Sequence, residues 1–152
     1  MSDKPSLLAE TLIKQDEILS ELLSITLSQR EALKEGRLAR LQELMSEMRH
    51  TSVRAQAIET RRSRLAAEIA GELGCDAVVS KIANILPPEE SELLKDAAGK
   101  LTSTVGRLKM EMSILSRLMD EAKDLNEMLI NEWRKMSSRA VGPGGGGFDA
   151  RI

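Results

Sequence analysis

The chain has no tyrosine, one tryptophan, one phenylalanine, one histidine and one cysteine in 152 residues. Aromatics at 1% argue against a sheet-based or ring-rich core, because strands draw on aromatic and β-branched side chains. The single cysteine, Cys75, excludes an internal disulfide and suits a reducing compartment. No apolar run exceeds three residues, against the roughly 20 that a membrane-spanning helix needs, so no membrane insertion is expected. The opening MSDKPS lacks the basic-then-apolar pattern of a secretory signal, and the cytoplasm is the expected location. A net charge of -2 supplies no global field toward nucleic acid or anionic lipid.

The same scarcity removes the catalytic constellations. His50 stands alone in RHTS on a charged stretch and reads as a solvated surface histidine, since proton transfer needs a partner group. Cys75 has no CxxC partner and no second histidine with which to build a zinc site, so it reads as a half-buried structural thiol. GPGGGG lacks the Lys-Ser/Thr and the flanking strand and helix of a phosphate loop, and reads as a spacer. ETRRSR at 59–64 has no stacking aromatics and has glutamates nearby, which marks a solvated face and no nucleic-acid partner. The sequence gives no enzyme, no cofactor and no metal site.

What the chain does have is helical period. Charged residues are 30%, and Lys, Glu, Leu, Ala and Arg dominate, as in long helices and coiled coils. Leu8, Leu12, Leu19, Leu22 and Leu33, widened by Ile18 and Ile25, predict a first helix over about 6–35 that stops at Gly36. Only Arg37 precedes the next run, so the two helices fold back as a tight hairpin. Leu38, Leu41, Met45, Met48, Ser52, Ala55, Arg62, Ala66, Ile69 and Leu73 mark the second seam, thin in its middle and ended by Gly74. DAVVSKIANIL predicts a short helix with Asp76 as N-cap. PPEE then opens a third long helix, with proline in its first turn and acids at its positive end. Charge alternates by segment, roughly -3, +2, -3 and +2 over 1–36, 37–74, 75–98 and 99–152, which suits helix packed on helix. The expected fold is all-α: an elongated antiparallel hairpin and coiled-coil bundle of three long helices plus one short one. A helical domain over 1–137 and a flexible glycine-rich tail over 138–152 are the expected divisions.

The last helix carries more apolar surface than one neighbour needs. From Leu94 to Met136 its alternating three- and four-residue steps hold one polar residue, Asn126. Gly99 and Gly106 each cost about 1 kcal/mol relative to alanine and predict a local weak point. Advancing each residue by 100°, a second apolar flank of Met110, Ile114, Leu125 and Met128 widens the arc to about 220°, against somewhat over 100° for a one-sided helix. Glu111, Glu121 and Glu132 interrupt that flank. Two arrangements account for it: the flank faces the first helix in an ordinary three-helix core, or it stays open to a partner helix. Five of the eight methionines lie here, and their flexible thioethers suit surfaces that must fit more than one partner. The candidate contact residues are Met110, Ile114, Leu118, Leu125, Asn126, Met128, Leu129, Trp133 and Met136.

The hairpin EALKEGRLARLQELM, the ELG stop at 72–74, the restart LPPEES at 86–91 and LNEMLINE in the last helix follow in order. That order and spacing resemble the FlgN-type flagellar export chaperones over about residues 7–136. The resemblance implies a cytoplasmic chaperone for hook-associated proteins. It would hold their helical terminal segments, prevent early polymerisation and bring them to the flagellar type III export gate. The family's client-binding region would map onto residues 110–136, and Phe148 in GFDAR becomes a candidate tail contact. Arg37 departs from the family's common Asp or Asn after the hairpin glycine, and the tyrosine often found near the C-terminal end is absent. Competing readings are a client-free structural or homodimeric coiled-coil adaptor and a type III secretion chaperone for a non-flagellar client.

Overall fold

The computed structural model describes residues 3–141, the side chains of 139–141 excepted. Among them are four α-helices: α1 Lys4–Lys34, α2 Leu38–Leu73, α3 Val79–Ile85 and α4 Pro88–Val141. The fold is all-α, with three long helices and one short, as the periodicity predicts. The chain divides into two compact units, Met1–Leu115 and Ser116–Ile152, and α4 supplies residues to both.

Two glycines set the turns. Gly36 has φ 69°, and the N–H groups of Arg37 and Gly36 donate to the carbonyls of Ala32 (2.9 Å) and Leu33 (3.2 Å). This paired closure of the last turn requires a left-handed residue, which costs an L side chain roughly 1–2 kcal/mol and glycine little. Gly74, at φ 70°, ends α2 in the same way, with the Cys75 N–H on the Ala70 carbonyl at 3.1 Å. After it, α3 begins later than the sequence suggests. Val78, not Asp76, takes the N-cap position and makes no side-chain cap bond. Asp76 lies too early to reach the free amides of the first turn, and its carboxylate pairs with Lys81 at 2.6 Å. Pro88 opens α4, with Glu89 and Glu90 in the first turn near the positive dipole end. The helix runs without a break past Gly99 and Gly106 to Val141, beyond the expected end near 137.

In the first unit α1 and α2 are antiparallel: Lys4 meets Glu72, Gln15 meets Glu59, Arg54 meets Glu21 and Gln29 meets Met48. The start of α4 runs parallel to α1. Leu94 and Ala97 join Leu8 and Leu12 in one cluster, Leu108 joins Leu22 and Leu23 in a second, and Arg30 reaches Glu111 at 2.9 Å. The first cluster also holds Ile69 of α2 and Ile82 of α3, with Cys75 half-buried against it. The α2 seam sits slightly off the expected line: Leu44 is buried, whereas Leu38 and Met45 are exposed. Arg62, an odd member of an apolar seam, explains itself as a polar layer between the clusters. Its guanidinium donates to both Glu59 carboxylate oxygens, and Gln15 Nε2 donates to the same carboxylate.

Buried polar groups recur along α1. Thr11 and Thr26 donate to the carbonyls of Leu7 and Leu22, one turn back, and so are satisfied within the helix. Gln29 is worse placed. It is 1% exposed, its Nε2 meets only the Met48 sulfur at 3.9 Å, and its Oε1 has no partner. An unpaired buried carbonyl costs about 1–3 kcal/mol. Gln29→Met, which keeps the volume, is therefore expected to raise the stability measured by urea denaturation by about 1–2 kcal/mol. A lower midpoint would mean that Gln29 is satisfied in solution.

Glu59 gives the fold a pH signature. The Arg62 guanidinium first, then Gln15, hold its carboxyl below the usual carboxylate range, and partial burial opposes them. The folded value is depressed, so the contribution is present above the unfolded carboxylate pKa of about 4.3 and is lost as pH falls through the lower folded value. Glu59→Gln is expected to lower stability at pH 7 and to lose that disadvantage progressively in denaturation curves taken at successively lower pH below about 4.3. An equal deficit at every pH would exclude this carboxylate as its source.

Candidate functional site

Because α4 contributes to both units, its surface is described in two parts. In the first unit its apolar line is covered in stages. Leu94 is fully buried, Leu101 and Val105 are half-buried, and Leu108 and Leu115 are buried. Of the candidate flank here, Met110 is exposed and Ile114 half-buried. Glu111, which seemed from the sequence only to interrupt that flank, is the group that Arg30 holds, at 15% side-chain exposure.

In the second unit the character of the helix changes. Leu118 and Met119 are half-buried, and every residue from Glu121 to Glu132 is exposed. Leu125, Met128, Leu129 and Met136 are each between 53% and 57% exposed, and Asn126 is also exposed. Trp133 is half-buried. Leu118, Ala122, Leu125, Leu129 and Met136 fall within about 60° of one another on the helical wheel, one stripe with Met128 at its edge. The candidate residues of this unit span about 160° of the helix, with Met128 at one margin and Trp133 and Asn126 at the other. Their apolar members are open to different degrees. Ile130, 39% exposed, belongs to the open surface and was missed, because it lies on the far side of the seam from the candidate flank. Phe148 lies outside the described residues.

The stripe is chemically simple. Its neighbours are charges of both signs, with Glu121 and Glu132 between Leu125 and Met128 and with Arg117 and Lys135 just beyond Met128. Lys135 pairs with Glu132 at 3.5 Å, an exposed contact of little energetic weight. Among the described residues no group of three or more His, Cys, Asp or Glu could hold a metal ion. No helix among them is long and apolar enough to cross a membrane. His50 is exposed on α2, and Cys75 packs against the first cluster. What such a face can do is lay aliphatic and thioether surface against another amphipathic helix. Contiguous exposed apolar surface of this kind marks an interaction site more often than an idle one.

The family model of the FlgN protein matches residues 1–141. No curated protein and no solved structure matches the chain.

Exposure separates the stripe from the core in a measurable way. Leu125→Ala and Met128→Ala are expected to change unfolding free energy by no more than about 0.5 kcal/mol, whereas Leu94→Ala costs about 2–5 kcal/mol. Losses above about 2 kcal/mol at Leu125 and Met128 would make them core residues.

Proposed function

The chain belongs to the FlgN family, whose members are flagellar export chaperones, and from that premise we propose that its second unit is the client-binding surface. The clients are the helical terminal segments of hook-associated flagellar proteins. Leu118, Leu125, Met128, Leu129 and Met136 provide the apolar contact, Trp133 the large anchor, and Asn126 the polar group that fixes register at some cost in stability. Met110 and Ile114 belong to the first unit and enter as a separate pair of contacts. The observation that carries this reading is the row of half-exposed leucine and methionine side chains at one-turn spacing on α4.

A client helix laid on that row buries apolar surface on both partners at about 25 cal/mol per Å² and covers the part of the client that would otherwise polymerise. Methionine tolerates differences between clients because its three rotatable bonds adapt to irregular partners. The chaperone acts in the cytoplasm and delivers its client to the flagellar type III export gate, with the C-terminal tail and Phe148 as contacts there.

The test is coexpression of the full chain with terminal fragments of hook-associated proteins from the same cell. A stable complex is expected, weakened by about 10- to 100-fold in Kd by Leu125→Asp with Leu129→Asp, at unchanged far-ultraviolet helicity. No complex with any hook-associated fragment, or a complex indifferent to both changes, would refute this assignment.

A further inference from the structure

A second surface, independent of the stripe on α4, lies within the first unit. Three open depressions of about 300, 420 and 410 Å³ follow one another along the groove between α1 and α2. Neighbours share their walls: Lys14, Glu17 and Arg61 line the first and second, and Glu21 lines the second and third. Along α1 they extend from Glu10 to Ile25, about 24 Å at 1.5 Å per residue. Each has an aliphatic side chain in it. Ile13 lines the first, Ile18 and Ile58 the second, and Ile25 the third. Ile18 and Ile25 are half-buried and about 20° apart around α1, a part-covered apolar row, whereas Ile13, 47% exposed, lies at least 120° further round the helix.

The charges beside that row are sorted by helix. The α1 wall presents Glu10, Glu17 and Glu21, with Lys14 as its one cation, and the α2 wall presents Arg54 and Arg61, with Glu47 as its one acid. The sorting continues to the hairpin tip, where Glu31 of α1 and Glu35, just past its end, line a further depression with Arg37 and Arg40. Arg54 crosses the groove to Glu21 at 2.8 Å, but both side chains are about half exposed, and such pairs exchange partners readily. Arg61 is exposed and in no ion pair among the described residues. A lipid or nucleic-acid surface, negative throughout, would meet the glutamate wall. A helix with its own charges sorted would meet neither penalty.

We propose that this groove seats an amphipathic α-helix of a partner protein, about four turns long. Its apolar face rests on Ile18 and Ile25. Lys or Arg lines its edge toward α1, and Asp or Glu lines its edge toward α2. Two antiparallel helices offer a third helix a ready seat, because its side-chain ridges enter the channel between them. The incoming edges take over Glu21 and Arg54 from each other, which opens the groove at its middle. This gives the protein a docking track distinct from the stripe on the second unit, with a different recognition chemistry: sorted charge in place of adaptable methionine.

The test titrates the full chain with designed helical peptides of about 18 residues that share one leucine-alanine face. One carries lysine on one edge and glutamate on the other, one carries lysine on both, and one carries glutamate on both. The sorted peptide is expected to bind about tenfold more tightly than either uniform peptide. Arg54→Glu with Arg61→Glu, at exposed positions, should keep the helicity, weaken the sorted peptide about tenfold and shift preference to the peptide with lysine on both edges. Binding that ignores those two changes, or that is lost instead in Leu125→Asp with Leu129→Asp, would overturn the proposal. Concentration-dependent self-association abolished by the arginine changes would also overturn it, by seating a second copy in the groove.

Discussion

The parallel seating of α4 on α1 organises the first unit. Two apolar clusters carry it, the first around Leu8, Leu12, Ile69, Ile82 and Leu94, the second around Leu22, Leu23 and Leu108. The Arg30–Glu111 pair and the burial of Leu115 mark its far end. An amphipathic helix has to lay its apolar stripe on something, and up to Leu115 this one does. The second unit carries the same stripe with most of its members open. Contiguous exposed leucines and methionines of that kind mark an interaction site. The chaperone assignment follows from that constraint together with family membership.

The polar side chains inside the hairpin belong to the same logic. Gln15, Glu59 and Arg62 interrupt the core between its two clusters, and Gln29 sits buried with an unpaired oxygen. An all-leucine seam would be more stable, but it would pair almost as well if slipped by a turn. A polar layer with a defined partner set is the feature by which coiled coils fix register.

Much of the fold was legible because its signals are local. Gly36 and Gly74 read as stops since only glycine adopts their conformation without strain, and Pro88 with Glu89 and Glu90 reads as a start for equally local reasons. The errors arise where a third element decides. Asp76 looked like a cap, yet the start of α3 is set by how Val79 and Ile82 meet the first cluster. Leu38 and Met45 kept perfect period and lie outside, while Leu44 lies inside, because the face that α2 buries depends on where α1 and α4 approach it. Glu111 read as a break in an apolar flank, since Arg30, its partner, is distant in sequence. The apolar surplus of α4 was visible in its period. Which of its residues stand open was not, because exposure depends on what the neighbours cover.

Amide hydrogen exchange of the full chain, alone and with a hook-associated protein terminal segment, reads the central claim most directly. The account predicts that the client adds protection to the backbone amides of residues 116–136 and leaves the first cluster unchanged, since that cluster is already closed. Added protection confined to the α1–α2 hairpin, with residues 116–136 exchanging as fast as before, would contradict it.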